Sequence, residues 1–138
     1  MPAFTHSLRV RWSEVDAYGV VFNGHYLNYC DVAITDYFRN LGFRFTDPAQ
    51  IGGEFYVRKA TLDYLAPARF DDLLDLHVRC GRLGTSSLQL LVDITRAGER
   101  LLTGELIYVN TDPRTRRPAP LLDALRRQIE AFDRLPPA

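Results

Sequence analysis

Apolar residues recur along this chain with two different periods. Tyr26, Cys30, Ala33, Ile34, Tyr37, Phe38 and Leu41 fall on one face of a 3.6-residue repeat, which predicts a long amphipathic helix. Asn23 precedes that run as a good capping type, and Gly42 follows it as a natural left-handed cap. A second stripe, Leu121, Leu122, Leu125, Ile129 and Phe132, predicts a terminal helix over Leu121 to Leu135, with Pro118 and Pro120 at its start. Asp123–Arg127 and Glu130–Arg134 stand on its other side as i,i+4 pairs.

The remaining segments alternate with period two. Leu8, Val10 and Trp12 alternate with Arg9 and Arg11, predicting a first strand over Thr5 to Trp12. Four more strands are expected after the long helix: Glu54 to Leu65, Leu74 to Gly81, Leu88 to Thr95 (with Leu91 off pattern) and Leu101 to Asn110. Pro67 cannot donate to a ladder, so 66–69 reads as an edge or bulge. Between helix and strands, 43–53 is a connection whose Phe43, Phe45 and Ile51 are expected to pack.

The order strand, helix, four strands, helix describes an α+β chain: a five-stranded antiparallel sheet wrapped around a long central helix, with a C-terminal helix. No linker, repeat or low-complexity stretch divides it, so residues 1–138 read as a single domain. The helix carries more apolar surface than one such sheet needs, and strand edges must be paired or covered. Both features predict a homodimer that joins two sheets.

Bulk numbers narrow the function classes. The chain has 138 residues and a formal net charge of zero, so no global field draws it to nucleic acid or to a membrane surface. Met1 to Ser7 lacks a charged start followed by an apolar run, and no window approaches the ~18 apolar residues of a membrane span. A cytoplasmic location is expected. Cys30 and Cys80 lie on apolar faces and read as small buried hydrophobes. His6, His25 and His77 have no paired spacing, so neither a metal site nor a cofactor is expected. No Gly-x-Ser-x-Gly elbow, P-loop or Gly-x-Gly-x-x-Gly is present.

The chemistry-bearing stretch is Ser13 to Phe38. Asp16 stands in a loop with Gly19 and Gly24, just before the long helix. A helix starting there turns unpaired N–H groups and the positive end of its dipole back toward Asp16. That layout suits attack on a carbonyl and stabilisation of the oxyanion. An aspartate in an ordinary turn before a core helix has the same sequence signature.

The string from Asp16 to Tyr26, Asp-Ala-Tyr-Gly-Val-Val-Phe-Asn-Gly-His-Tyr, followed by a tyrosine-rich helix, resembles the signature of the hotdog-fold acyl-CoA thioesterases, most nearly the hydroxybenzoyl-CoA thioesterase type. The stretches 56–76 and 82–94 match as well, and the resemblance covers about Leu8 to Val109. It implies hydrolysis of an acyl-CoA, or of an acyl carrier protein thioester, by a homodimer or homotetramer with sites between subunits. Asp16 would then be nucleophile or general base, and a backbone amide at Asn23 the oxyanion donor, with His25 beside it.

The resemblance further implies that Gly19 shapes the loop and Gly24 admits close approach of substrate. Tyr18, Phe22, Tyr26 and Phe55 are candidates for the acyl pocket, and Asp31 for a contact to the acyl group. Ile34 stands where many relatives have arginine. Coenzyme A would be met at Arg82, Thr85, Ser86 and Ser87. Relatives carry several cations there, whereas this chain has only Arg82. The nucleotide grip would then pass to Arg58, Lys59 or the cluster Arg114, Arg116 and Arg117. A dehydratase or hydratase on the same fold, and a non-catalytic acyl-thioester binder, are the rival expectations.

Overall fold

The computed structural model describes residues 4–135. Five strands form one antiparallel sheet in the order β1-β3-β4-β5-β2: β1 Thr5–Arg9, β2 Glu54–Tyr64, β3 Leu73–Leu83, β4 Ser87–Arg96 and β5 Glu99–Thr111. Three helices accompany it: α1 His25–Asn40, a single turn α2 Pro48–Ile51, and α3 Asp123–Asp133. The terminal residues 1–3 and 136–138 lie outside the described part, and the expectation for Met1 to Ser7 falls partly on them.

The period-two pattern decides which side of the sheet faces α1. Leu74, Leu76, Val78 and Cys80 of β3, Leu88, Leu90, Val92 and Ile94 of β4, and Leu102, Leu106 and Tyr108 of β5 are all buried. They meet the helical stripe Tyr26, Cys30, Ala33, Ile34, Tyr37 and Phe38, joined by Tyr29. Each fully buried side chain of this size contributes about 1.5–3 kcal/mol of transfer free energy. The 43–53 connection packs as expected: Ile51 is fully buried, and Phe45 stacks near Phe38 and Phe55.

Four local expectations fail for identifiable reasons. The first strand stops at Arg9, because the chain turns away after Val10 exchanges hydrogen bonds with Asp71 and Asp72. Trp12 therefore sits in a one-turn 3-10 helix, 73% exposed, edge-on to Phe70. Asn23 does not cap α1; Gly24 is the cap residue, in helical torsions, with no side-chain cap bond. Leu122 stays exposed as the residue before α3, while Leu121, Leu125 and Ile129 are buried. Among the described residues neither Asp123–Arg127 nor Glu130–Arg134 closes into an ion pair.

Besides its buried Leu125 and Ile129, helix α3 is held by a carboxylate. β1 begins at Thr5, opposite His77, so beyond that point β3 has no strand on its outer edge. Asp133 fills the gap: its Oδ2 accepts the Cys80 N–H at 2.9 Å and the Tyr37 hydroxyl. β2 is the opposite edge. Tyr56, Val57, Tyr64 and, just beyond it, Leu65 are about half exposed there, since nothing in one chain covers that side.

Candidate active site

The Asp16 loop is a tight reversal between two short pairings. Val15 bridges Val21, the Asp16 N–H donates to Val20 O at 2.9 Å, and the Gly19 N–H donates to Asp16 O at 2.9 Å. Gly19 has φ +78°, a torsion that glycine adopts without steric cost. The carboxylate accepts the Tyr18 N–H on Oδ1 at 2.8 Å, while Oδ2 takes no hydrogen bond among the described residues. Val20 bridges Arg69, and the Val21 N–H donates to Ala68 O at 2.9 Å, so the loop is fastened to the segment after β2. Asp16 is half-buried, held by backbone on both sides with one oxygen unengaged.

Nine residues further on, α1 begins. The His25 N–H donates to Phe22 O at 2.9 Å and the Tyr26 N–H reaches Asn23 O at 3.4 Å. Among the described residues the backbone N–H groups of Asn23 and Gly24 have no partner. They are orphan donors at the positive end of a 16-residue helix, a combination suited to an anion. The start of the helix is pinned from β2, where the Tyr64 hydroxyl donates to Asn23 O at 2.9 Å.

The neighbouring side chains divide by exposure. Tyr18 is 89% exposed and Phe22 51%. His25 lies edge-on to Phe22 and has no hydrogen bond to Asp16 among the described residues. Tyr26 is buried, its hydroxyl accepting the Ala68 N–H at 3.0 Å and its ring lying edge-on to Tyr64. Phe55 is not near them: it packs with Phe38 and Phe45 toward the other end of α1.

Two groups were missed in the sequence. Glu14 is buried and accepts the Arg11 N–H at 2.7 Å, the Arg11 guanidinium at 2.8 Å and the Tyr29 hydroxyl at 2.9 Å. Burial opposes its ionisation, but these donors together hold the carboxyl below its ordinary range. Glu14 O also accepts the Phe22 N–H at 3.0 Å, so this residue underpins the loop. Only the reach of Glu14 back to Arg11, three residues before it, is local; the Tyr29 contact is not. The second group is Tyr108, whose hydroxyl donates to Asp31 Oδ1 at 3.2 Å. Burial and then the Asp31 charge push that phenol up. Asp31 itself is exposed on α1, and Ile34 beside it is core.

The turn expected to meet coenzyme A lies elsewhere. Arg82 follows a bulge in β3, and the Gly84 N–H donates to Ser87 O at 2.8 Å; Thr85 is exposed, Ser86 and Ser87 half-buried. Ser87 pairs with Val109 of β5, whereas Tyr64, beside the helix start, pairs with Leu102. Those two β5 positions are seven residues apart, about 23 Å at the usual strand rise. Within one chain the Asp16 group and the 82–87 turn occupy opposite ends of the sheet.

The profile described as thioesterase superfamily matches residues 18–103. The acyl-CoA thioester hydrolase YbgC of Escherichia coli O6:H1 is 32% identical over 121 residues, covering 86% of this chain and 89% of that protein. A chloroplastic acyl-acyl carrier protein thioesterase of Arabidopsis thaliana, ATL3, is 30% identical over 86 residues, 62% of this chain and 44% of its own length. A thioesterase of Thermus thermophilus, solved with coenzyme A and zinc, is 31% identical with a TM-score of 0.85, covering 99% of this chain and 98% of that one. The sheet and its long helix are those of the hotdog fold. On the extent of the profile match and on relatives spanning nearly its whole length, this chain belongs to the thioesterase superfamily.

Proposed function

We propose that this chain is an acyl-CoA thioesterase, hydrolysing the thioester to a carboxylic acid and free thiol at the Asp16 loop. The observation that carries the reading is the pair of unpartnered N–H groups at Asn23 and Gly24, next to a loop whose aspartate keeps one oxygen free. The thioester oxygen accepts from those donors and, as the carbonyl carbon becomes tetrahedral, its negative charge is met by them and by the helix dipole. Asp16 acts in one of two ways. It adds to the carbonyl carbon and expels the thiolate, leaving an anhydride that water then opens; or it takes a proton from the water that attacks. Gly24 lets the substrate approach the main chain, and Phe22, Tyr18 and His25 form the exposed rim.

The working unit is a homodimer. The exposed edge of β2 has apolar side chains and an unpaired ladder, and a two-fold axis across it joins the sheets of two copies antiparallel. That pairing sets Arg82, Thr85, Ser86 and Ser87 of one copy at the same end as the Asp16 loop of the other. The acyl group extends toward Asp31 and Tyr108.

The test is thiol release across aliphatic, aromatic and hydroxylated acyl-CoAs, with acyl-carrier-protein thioesters and an enoyl thioester alongside. Wild type should release thiol, and Asp16→Asn should lose at least ~10²-fold while its circular dichroism and melting stay unchanged. An Asp16→Asn protein that keeps wild-type turnover sinks the assignment. Hydration of the enoyl thioester without thiol release points to a hydratase. Tight binding without turnover points to a binder.

A further inference from the structure

Among the described residues Glu14 is the one buried carboxylate. Both of its oxygens are engaged. Oε1 accepts the Arg11 N–H at 2.7 Å and the Tyr29 hydroxyl at 2.9 Å, while Oε2 accepts the Arg11 guanidinium at 2.8 and 3.2 Å. Its main chain is engaged too: the N–H donates to Arg11 O and the carbonyl accepts the Phe22 N–H, each at 3.0 Å. Glu14 thus ends the one-turn 3-10 helix and stands two residues before Asp16. From there it binds both the far end of the Asp16 loop and the fifth residue of α1.

That position brackets the oxyanion donors. The Phe22 N–H goes to Glu14 O and the His25 N–H to Phe22 O, so the two unpartnered amides are those between them, Asn23 and Gly24. Tyr64 holds this stretch at Asn23 O, and Glu14 holds the helix that follows at Tyr29. Tyr29 lies edge-on to Tyr26, whose hydroxyl accepts the Ala68 N–H, and Ala68 O accepts the Val21 N–H. The path from Glu14 through α1 returns in this way to the Asp16 loop. The loop itself is closed by backbone pairings, Val15 with Val21 and Asp16 with Val20, that need no charge. Those pairings do not fix where the loop stands against α1.

We propose that Glu14 is a positioning residue for the hydrolysis: by tying the base of the loop to Tyr29, its side chain sets the spacing between Asp16 and the Asn23 and Gly24 amides. Desolvating a carboxylate is costly, and buried ion pairs can often be replaced by apolar side chains with no loss of stability. Stability is therefore a poor reason for an acid here. Geometry is a better one, because the attacking carboxylate and the oxyanion donors stand on separate elements, and rate falls steeply when such a spacing drifts. Glu14 touches no reacting atom; it acts through Asp16 and the two amides. The role rests on the thioesterase reading, and it complements Tyr64, which holds the same helix start from β2.

The test measures kcat and KM for thiol release in the full chain, with the acyl-CoA that wild type turns over fastest, well below the melting temperature of each variant. Glu14→Ala should lower kcat roughly 10²-fold with KM nearly unchanged. Glu14→Gln should recover about tenfold of that loss, since its amide oxygen can accept the Arg11 N–H and the Tyr29 hydroxyl as Oε1 does. Tyr29→Phe should lower kcat about tenfold, and adding it to Glu14→Ala should bring no further loss, because the two act as one unit. Asp133→Ala is the control. It loosens α3 and Cys80, away from the loop, and should melt earlier while keeping wild-type kcat. An undiminished kcat in Glu14→Ala overturns the role, as does a loss matched by Asp133→Ala or one confined to KM. Should Glu14→Ala not fold, a wild-type kcat in Tyr29→Phe overturns it equally. A wild type that releases no thiol from any acyl-CoA removes the thioesterase reading and the role together, whereas an active wild type with unaffected Glu14 and Tyr29 variants removes the role alone.

Discussion

The Tyr64 hydroxyl, on the last residue of β2, donates a 2.9 Å hydrogen bond to the carbonyl of Asn23, two residues before α1 begins. One side chain therefore ties the edge strand to the main chain whose N–H groups are candidates for the oxyanion. Tyr64 also lies edge-on to Tyr26, whose hydroxyl in turn accepts the Ala68 N–H. Strand, helix start and the segment that fastens the Asp16 loop form one connected unit.

Tyr64→Phe keeps the ring and removes only the tie. Steady-state kinetics should show kcat lower by about tenfold with KM nearly unchanged, since small misplacement of a catalytic donor carries a cost of that order or more. The melting temperature should hardly move, because the hydroxyl is at an exposed site.

Acid stability should depend on Glu14. Its carboxyl is held below the ordinary value of 4.5 when folded, so its contribution is present above that pH and is lost as pH falls through the lower folded value. Urea midpoints measured from pH 7 down to 3 should fall in wild type and fall less steeply in Glu14→Gln, which starts from a lower midpoint at pH 7. Tyr29→Phe, which removes one buried donor to the carboxylate, should cost about 1–3 kcal/mol at pH 7.

Asp133→Ala leaves the Cys80 N–H and the Tyr37 hydroxyl without their acceptor. Each buried group left unsatisfied costs about 1–3 kcal/mol. Hydrogen exchange should rise first in 123–133 and at Cys80, with the β4–β5 ladder still protected. Tyr37→Phe, which spares Cys80, should be the milder change.

Two glycines with positive φ should respond differently to alanine. At Gly53 (φ +153°) a Cβ would collide with Asn110 Oδ1 and lie 2.6 Å from Thr111 O, the latter a backbone atom that cannot swing aside. At Gly98 (φ +84°) a Cβ meets nothing within 4 Å. Urea denaturation should give Gly98→Ala a cost of about 1–2 kcal/mol from torsion alone, and Gly53→Ala about 3 kcal/mol or more. Asn110 Nδ2 donates to the carbonyls of Gly52, Ala119 and Pro120, so displacing its side chain also loosens the base of the loop that carries Arg114, Arg116 and Arg117.

The two periodicities were sufficient to read the α+β architecture, the buried stripe of α1, the inward faces of β3, β4 and β5, and the packing of 43–53. Burial acts residue by residue along a regular element, so the pattern of side chains carries it directly. The Asp16 loop was legible for a related reason: the glycine that closes it and the helix that follows are local.

Only the tertiary structure decided the rest, because it depends on which distant segments meet. Trp12 looked like a strand residue until the chain turned at Val10 toward Asp71 and Asp72. Asn23 looked like a side-chain cap, whereas its carbonyl is what Tyr64 holds, 41 positions away in sequence. Tyr108 and Asp133 draw their roles from partners that no spacing announces, and Glu14 is only half announced, by Arg11 three residues before it. Strand pairing separates Phe55 from Tyr26, and the 82–87 turn from Asp16, by most of the sheet's length. A sequence records which residues are apolar and which can bear charge; the pairing of strands fixes which of them share a place.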